Sequence, residues 1–108
     1  MKILEKLKRK IKFFFQRRLR GFDDSEIWSL DQDLAKHILP RLKRYKEVNG
    51  GHPQELSWEQ WMDILDEMIQ TFEFLASDAK YDCFDKSKWK EINKGLHLFA
   101  KYYSDLWW

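Results

Sequence analysis

The chain has 108 residues, of which 44% are hydrophobic and 35% charged, a balance typical of one globular domain and not of a disordered segment. No apolar run approaches the roughly 20 residues that a membrane span needs, and the basic N-terminus lacks the continuous apolar region of a secretory signal. Cys83 has no second cysteine with which to pair, so nothing indicates an oxidising compartment. We expect a cytoplasmic protein.

Charge divides the chain at Gly21. Residues 1–20 carry nine Lys or Arg and one acid, a net charge of +8, whereas residues 21–108 carry eleven Lys or Arg and seventeen acids, a net charge of −6. We therefore expect a basic arm, 1–20, and a helical bundle domain, 21–108. The arm either folds against the acidic body or reaches an external partner.

The arm has the pattern of an amphipathic helix over roughly 2–19. Apolar residues at positions 4, 7, 11 and 14 form one stripe, and nearly all other positions are cationic. Such a helix could lie on an anionic membrane surface, pack on a partner protein or track the phosphates of a nucleic acid. Because Phe13, Phe14 and Phe15 are consecutive, they cannot all face one groove, and at least one ring should be exposed.

The second predicted helix covers 23–47. Asp23 and Glu26 have the spacing of a capping box, and Phe22 with Ile27 that of a hydrophobic staple. The apolar positions that follow have helical spacing: Ile27, Leu30, Leu34, Ile38, Leu42 and Tyr45. Pro40 should kink or divide this helix near residues 36–39.

Two more helices are predicted after the stop signal Asn49-Gly50-Gly51-His52-Pro53. The third, 57–77, begins with a capping box of Ser57 and Gln60 and a staple of Leu56 and Trp61. The fourth, 87–106, follows an Asp85 cap with Phe84 and Trp89 as staple, and Gly95 allows a neighbouring helix to approach closely. The apolar stripe predicted for the fourth helix is Trp89, Ile92, Leu96, Phe99, Tyr103 and Leu106.

The C-terminal residues form a cluster of aromatic rings. Chain ends are usually polar and frayed, so two final tryptophans favour docking, either on the chain's own core or on another chain. Together with the arm they supply the candidate partner-binding residues, which are Lys8, Arg9, Ile11, Lys12, Phe14, Phe15, Arg17, Arg18, Trp107 and Trp108.

Signatures of catalysis and metal binding are weak. The three histidines lack the spacing of metal ligands, and Cys83 has no histidine partner in sequence. Asp63, Asp66 and Glu67 have the i, i+3, i+4 spacing of Mg²⁺ ligands in helical pyrophosphatases, but the solvated side of an amphipathic helix needs the same residues. We expect a non-enzyme with no catalytic residue, cofactor or metal.

Three stretches resemble a group of small proteins encoded by tailed bacteriophages. They are RGFDDSEIWSLDQDLAKHILPRLKRYKE, HPQELSWEQWMDILDEMI and GLHLFAKYYSDLWW, within residues 19–108. The resemblance implies a viral protein made in a bacterial cytoplasm, as a host- or defence-directed binder or a minor virion component. It carries no established activity and therefore no functional residue.

The expected fold is all-α, a three-helix antiparallel bundle preceded by a basic amphipathic N-terminal helix. The expected function is that of a non-enzymatic, phage-type protein-binding module acting on a host or defence complex. The alternative is an accessory or virion protein that binds nucleic acid or membrane through the arm. A small metal-dependent hydrolase is the least favoured hypothesis.

Overall fold

The computed structural model describes residues 2–107 and confirms the all-α class. The chain is 80% helical, with five helices and no strand within that range. The α-helices are α1 (Lys2–Arg20), α2 (Ser25–Trp28), α3 (Leu30–Val48), α4 (Trp58–Ala76) and α5 (Lys86–Lys101), with two short 3₁₀ helices at Asp78–Asp82 and Tyr103–Asp105.

The chain divides into two compact units, Met1–Asp33 and Leu34–Trp108. The change of charge predicts a boundary at residue 21. The structure instead groups residues 21–33 with α1, because these residues make the internal contacts of the first unit.

In the first unit, Gly21 ends α1 and turns the chain. Its φ of +82° lies in the left-handed region, which residues with a β-carbon rarely adopt, and its N–H donates to the carbonyl of Arg17 at 2.9 Å. The predicted capping box around Asp23 forms in part. The Asp23 N–H donates to the Glu26 carboxylate at 2.6 Å, but the Asp23 carboxylate accepts from the N–H of Ser25, at 2.9 Å, instead of that of Glu26.

The predicted helix 23–47 is divided at a different place from the one expected. Ser29, with φ −130° and ψ 63°, separates α2 from α3, whereas Pro40 lies inside the uninterrupted helix α3. Proline has no N–H to donate to the carbonyl of Lys36, four residues earlier, yet α3 continues through it, and a side-chain hydrogen bond is added in the same turn. The Arg41 guanidinium donates to the carbonyl of His37 at 2.8 Å. The expected break near residues 36–39 is therefore wrong.

In the second unit, side chains from α3, α4 and α5 share one core. Trp61, Leu65 and Met68 of α4 are fully buried. They belong to a cluster completed by Ala35, Leu42, Phe72 and Tyr102. Edge-to-face ring pairs join the start of α4 to the end of α5 (Trp61 with Tyr102, 5.7 Å) and the end of α4 to the start of α5 (Phe74 with Trp89, 5.3 Å). The two helices are thus antiparallel, as expected.

Two predicted helix starts are confirmed. Ser57 caps α4 with both hydrogen bonds of the capping box: its hydroxyl accepts from the N–H of Gln60 at 3.1 Å, and the Gln60 side chain accepts from the N–H of Ser57 at 2.9 Å. Asp85 caps α5 by accepting from the N–H of Ser87 at 2.9 Å. The staple expected for α5 is wrong, because Phe84 is 89% exposed while Trp89 packs on Phe74.

The apolar faces need two further corrections. Ile27, Leu30 and Leu34, assigned to the buried stripe of the second helix, are about half exposed. On α5, Leu96 is exposed and so is Tyr103, in the 3₁₀ turn beyond it, whereas Gly95 and Tyr102 are buried. The buried side of the fourth helix therefore keeps Ile92 and Phe99 of the predicted stripe but includes Gly95 and Tyr102 in place of Leu96 and Tyr103, because α4 packs closely at Gly95.

Candidate binding surface on helix α1

One side of α1 makes the internal contacts of the first unit. Gln16 donates to the Asp24 carboxylate at 2.7 Å and accepts from the Asp24 N–H at 2.8 Å. Arg20 also pairs with Asp24, and Arg17 pairs with Asp23. The α1 residues that form an ion pair, hydrogen bond or ring contact with the segment after Gly21 are 12, 13, 16, 17 and 20. Their spacing of three and four places them on one side of the helix.

These contacts stabilise both aspartates in the charged form. Hydrogen bonds from Ser25, together with the Arg17 guanidinium, hold the pKa of the Asp23 carboxyl below its usual value. Hydrogen bonds from Gln16 and Arg20 lower the pKa of the Asp24 carboxyl in the same way. The charged carboxylates of residues 23 and 24 therefore bind the last two turns of α1 through ion pairs and hydrogen bonds.

An aromatic contact lies on the same side of α1. Phe13 meets Trp28 edge to face, with ring centroids 5.7 Å apart. Trp28 is nevertheless 68% exposed. It lines a shallow hollow with Phe13 and Asp24, beside the cationic side chains of Lys8, Arg9 and Lys12.

The apolar side of α1 points away from these contacts. We define the α1 stripe as Ile3, Leu4, Leu7, Ile11, Phe14 and Phe15. An α-helix advances about 100° per residue, so the stripe lies roughly opposite the side held by Asp23 and Asp24. Its side chains are between 50% and 77% exposed, and none of the described residues of α1 is buried. The stripe therefore takes no part in the internal packing of the first unit.

Most of the cations on α1 are also unpaired. Lys12 (3.8 Å from Asp24), Arg17 and Arg20 take part in ion pairs. The other six cations have no ion pair among residues 2–107, and they are Lys2, Lys6, Lys8, Arg9, Lys10 and Arg18. By helical position, Lys8 and Lys10 flank the stripe on its two sides.

The structure thus separates the predicted partner-binding residues into three groups. Lys8, Ile11, Phe14, Phe15 and Arg18 form one exposed surface along the α1 stripe. The opposite side of α1 carries Arg9, which has no ion pair among residues 2–107, together with Lys12 and Arg17, which serve internal ion pairs. Trp107 belongs to the second unit, and Trp108 lies outside the described residues.

The C-terminal aromatic residues dock only in part. Tyr102 is buried, but Trp107 is 75% exposed. The Tyr45 hydroxyl donates at 3.2 Å to the carbonyls of Asp105 and Trp107, which ties the backbone of this segment to α3. Burial raises the pKa of the Tyr45 phenol, so this donor stays protonated at neutral pH.

Two of the three α4 carboxylates considered as metal ligands form ion pairs with lysines. Asp66 pairs with Lys46, Glu67 lies 3.6 Å from Lys94, and Asp63 is exposed. Among residues 2–107 no three His, Cys, Asp or Glu side chains are grouped as metal ligands. Cys83 is half-buried, and its carbonyl accepts from the indole N–H of Trp89 at 2.9 Å.

Sequence reasoning missed that Asp23, which it assigned to a helix start alone, binds α1 together with Asp24. A signal was present, since two acids follow the Arg17–Arg20 cluster directly across a glycine turn. The exposure of Trp28 could not be read from periodicity.

Comparison with known protein families, curated proteins and solved structures found no match to this chain. Over the described part of the chain, none of the helices has the length and apolar character required to cross a bilayer.

Proposed function

We propose that this chain is a non-enzymatic binding module, directed at a host or defence complex, and that it attaches through the exposed side of α1. The observation that carries the proposal is the orientation of α1. Its polar side makes the contacts within the unit, while its apolar stripe is left uncovered. A face of six exposed apolar side chains on one helix is typical of an interaction site.

The resemblance to tailed-phage proteins supplies the setting of this proposal, a bacterial host cell. A protein component of a host or defence complex was the first partner expected from the sequence. The α1 stripe has the i, i+3, i+4, i+7 spacing that helices use to enter a partner's apolar groove, with Leu4, Leu7, Ile11 and Phe14 as anchors.

Capture from host extract, with membranes included, tests the proposal on the full-length chain. Changing Ile11→Gln and Phe14→Gln together removes the centre of the stripe while keeping residues that favour a helix. Phe84→Gln is the control, because this ring is even more exposed than those of the stripe but lies outside α1. Host components should be retained by the wild type and the control and lost by the double variant. Equal retention by all three would contradict the proposal.

A second candidate is binding of single-stranded nucleic acid, favoured by the hollow beside Trp28. An exposed indole next to Lys8, Arg9 and Lys12 offers both a ring on which a base can stack and cations for phosphates. Anisotropy of a labelled oligonucleotide at low salt would test this candidate. On this reading Trp28→Ala should weaken binding severalfold, whereas the control Trp107→Ala, which changes another exposed indole, should not.

A further inference from the structure

The shape of the α1 stripe restricts what can cover it. From Ile3 to Phe15 the stripe runs over about 18 Å of helix, at 1.5 Å per residue. It lies on a convex surface, opposite the side that holds residues 23 and 24, so a flat surface can contact its whole length without meeting the rest of the first unit. Phe14 and Phe15 form an edge-to-face pair at its end, with centroids 5.6 Å apart.

The charges beside the stripe indicate a partner that is negative on both sides of its apolar contact. Lys8 and Lys10 flank the stripe, and neither has an ion pair among residues 2–107. Lysine can lay its apolar stem along a hydrophobic layer while its ammonium group reaches an anion above it. Across the whole of α1, nine cations stand against the single acid Glu5.

Arg18 indicates how deeply the stripe can be buried. It continues the ridge of positions 4, 7, 11 and 14, and it has no ion pair within the described part of the chain. The Arg18 guanidinium lies in line with the apolar ridge and must stay at the depth of the partner's anionic groups. The apolar side chains of the ridge can therefore enter only a thin apolar layer of that partner. This geometry fits a helix lying in the plane of a surface, with its axis parallel to that surface.

Three classes of partner can be compared on these observations. A nucleic acid offers phosphates but no apolar layer, so the stripe would stay exposed to water. A protein groove offers an apolar floor but needs carboxylates placed along both of its rims. A leaflet of anionic lipid offers both an apolar layer and negative headgroups on every side of the helix.

We infer that the α1 stripe docks on an anionic membrane surface, with α1 lying in the headgroup region and its lysines contacting lipid phosphates. This inference rests on the proposed function, since it keeps attachment through the α1 stripe, and it puts anionic lipid in place of a protein groove as what the stripe contacts. It assigns distinct tasks to the two sides of α1: the apolar side contacts lipid, and the opposite side holds residues 22–28.

Co-sedimentation of the full-length chain with vesicles tests the inference. The chain should bind vesicles of phosphatidylglycerol and phosphatidylethanolamine at least about tenfold more tightly than vesicles of phosphatidylcholine alone, because the cations need anionic headgroups. Binding should weaken between about 50 and 500 mM salt, as screening increases.

Two pairs of variants separate the apolar and the charged contributions. Ile11→Gln with Phe14→Gln should weaken binding to the anionic vesicles about tenfold, whereas Phe84→Gln should not. Lys8→Gln with Lys10→Gln should weaken it severalfold. Lys36→Gln with Lys90→Gln, which changes the net charge equally at two exposed lysines outside α1, should have a small effect. Circular dichroism of each variant checks that the helix content is retained.

Two results would overturn the inference. If the chain ignores anionic vesicles but still captures a host component through the stripe, the partner is a protein groove, and the proposed function stands without the membrane. If vesicle binding needs the lysines but not Ile11 and Phe14, the contact is electrostatic only and the stripe does not enter the lipid layer. If the full-length wild-type chain shows neither vesicle binding nor stripe-dependent capture, the proposed function is overturned as well.

Discussion

Gly95 of α5 lies so close to Thr71 of α4 that a β-carbon on Gly95 would be 1.7 Å from the Thr71 hydroxyl oxygen. No side chain can occupy that space, and the β-carbon of Thr71 would itself be only 2.7 Å away. Glycine at this point therefore permits the close approach of α4 and α5, although glycine within a helix costs about 1 kcal/mol relative to alanine.

Gly95→Ala should destabilise the protein, because the clash with Thr71 outweighs the gain in helix propensity. Overpacking of this kind costs about 1–3 kcal/mol. Urea unfolding followed by circular dichroism measures the change. Gly50→Ala is the control, since nothing lies within 4 Å of a β-carbon at Gly50. A Gly95→Ala variant as stable as the wild type would show that the two helices can separate at little cost.

The capping box of α4 should contribute measurably to stability. Ser57→Ala removes the hydroxyl that accepts from the Gln60 N–H, and loss of such a cap costs about 1 kcal/mol. Ser57 and Gln60 belong to the same capping box. The double variant with Gln60→Ala should therefore lower the free energy of unfolding by less than the two single changes added together. Ser104→Ala, at an exposed serine outside α4, should change the free energy of unfolding very little. Strict additivity would contradict the reciprocal box.

Acid should release the end of α1 from residues 23 and 24. The pKa of both aspartates is lower in the folded chain than in the unfolded one. Their contribution is therefore fully present above the unfolded value, about 3.9, and is lost as the pH falls through the lowered folded value. Hydrogen exchange of residues 12–20, measured across this range, should show protection lost at low pH.

Matched variants make this pH effect specific. Asp23→Asn with Asp24→Asn should abolish most of the pH dependence of exchange in α1 and lower its protection already at neutral pH. Asp63→Asn, at an exposed position on α4, should leave both unchanged. An unaltered pH profile in the double aspartate variant would show that other groups fix α1.

The fragment 21–108 should fold without the arm. The cluster of buried side chains comprises Ala35, Leu42, Trp61, Leu65, Met68, Phe72 and Tyr102, all of which the fragment retains. We expect a cooperative thermal transition, monitored by circular dichroism, together with loss of the binding assigned to the α1 stripe. A fragment that melts without cooperativity would mean that α1 is needed for the bundle to fold.

Divalent metal should have little effect on stability. Lys46 and Lys94 already engage Asp66 and Glu67 of α4, and a bound cation would have to displace them. A ligand that binds only the native state raises the melting temperature. We therefore expect the melting temperature to be nearly unchanged by millimolar Mg²⁺ or Mn²⁺. A rise of several degrees, absent in Asp63→Asn with Asp66→Asn, would support the hydrolase reading.

The sequence by itself determined the features that depend on neighbouring residues. The box of Ser57 and Gln60 and the Asp85 cap of α5 each form within a few residues, so their spacing alone was sufficient. The α1 stripe was also readable, because an exposed helix keeps the period of its own sequence. Helical content follows from the same local rules.

Tertiary structure alone decided which of the predicted faces are buried and where the chain bends. Ile27 and Leu34 have the period of a core but are half exposed, since burial depends on what packs against them and not on spacing. The helix is interrupted at Ser29 and continues through Pro40, a choice that the local residue preferences do not predict. The α1 stripe points away from residues 23 and 24 because the two aspartates bind the polar side of α1, which they reach only through the turn of the chain at Gly21. Contacts between residues brought together by a turn are fixed by geometry that the local pattern does not contain.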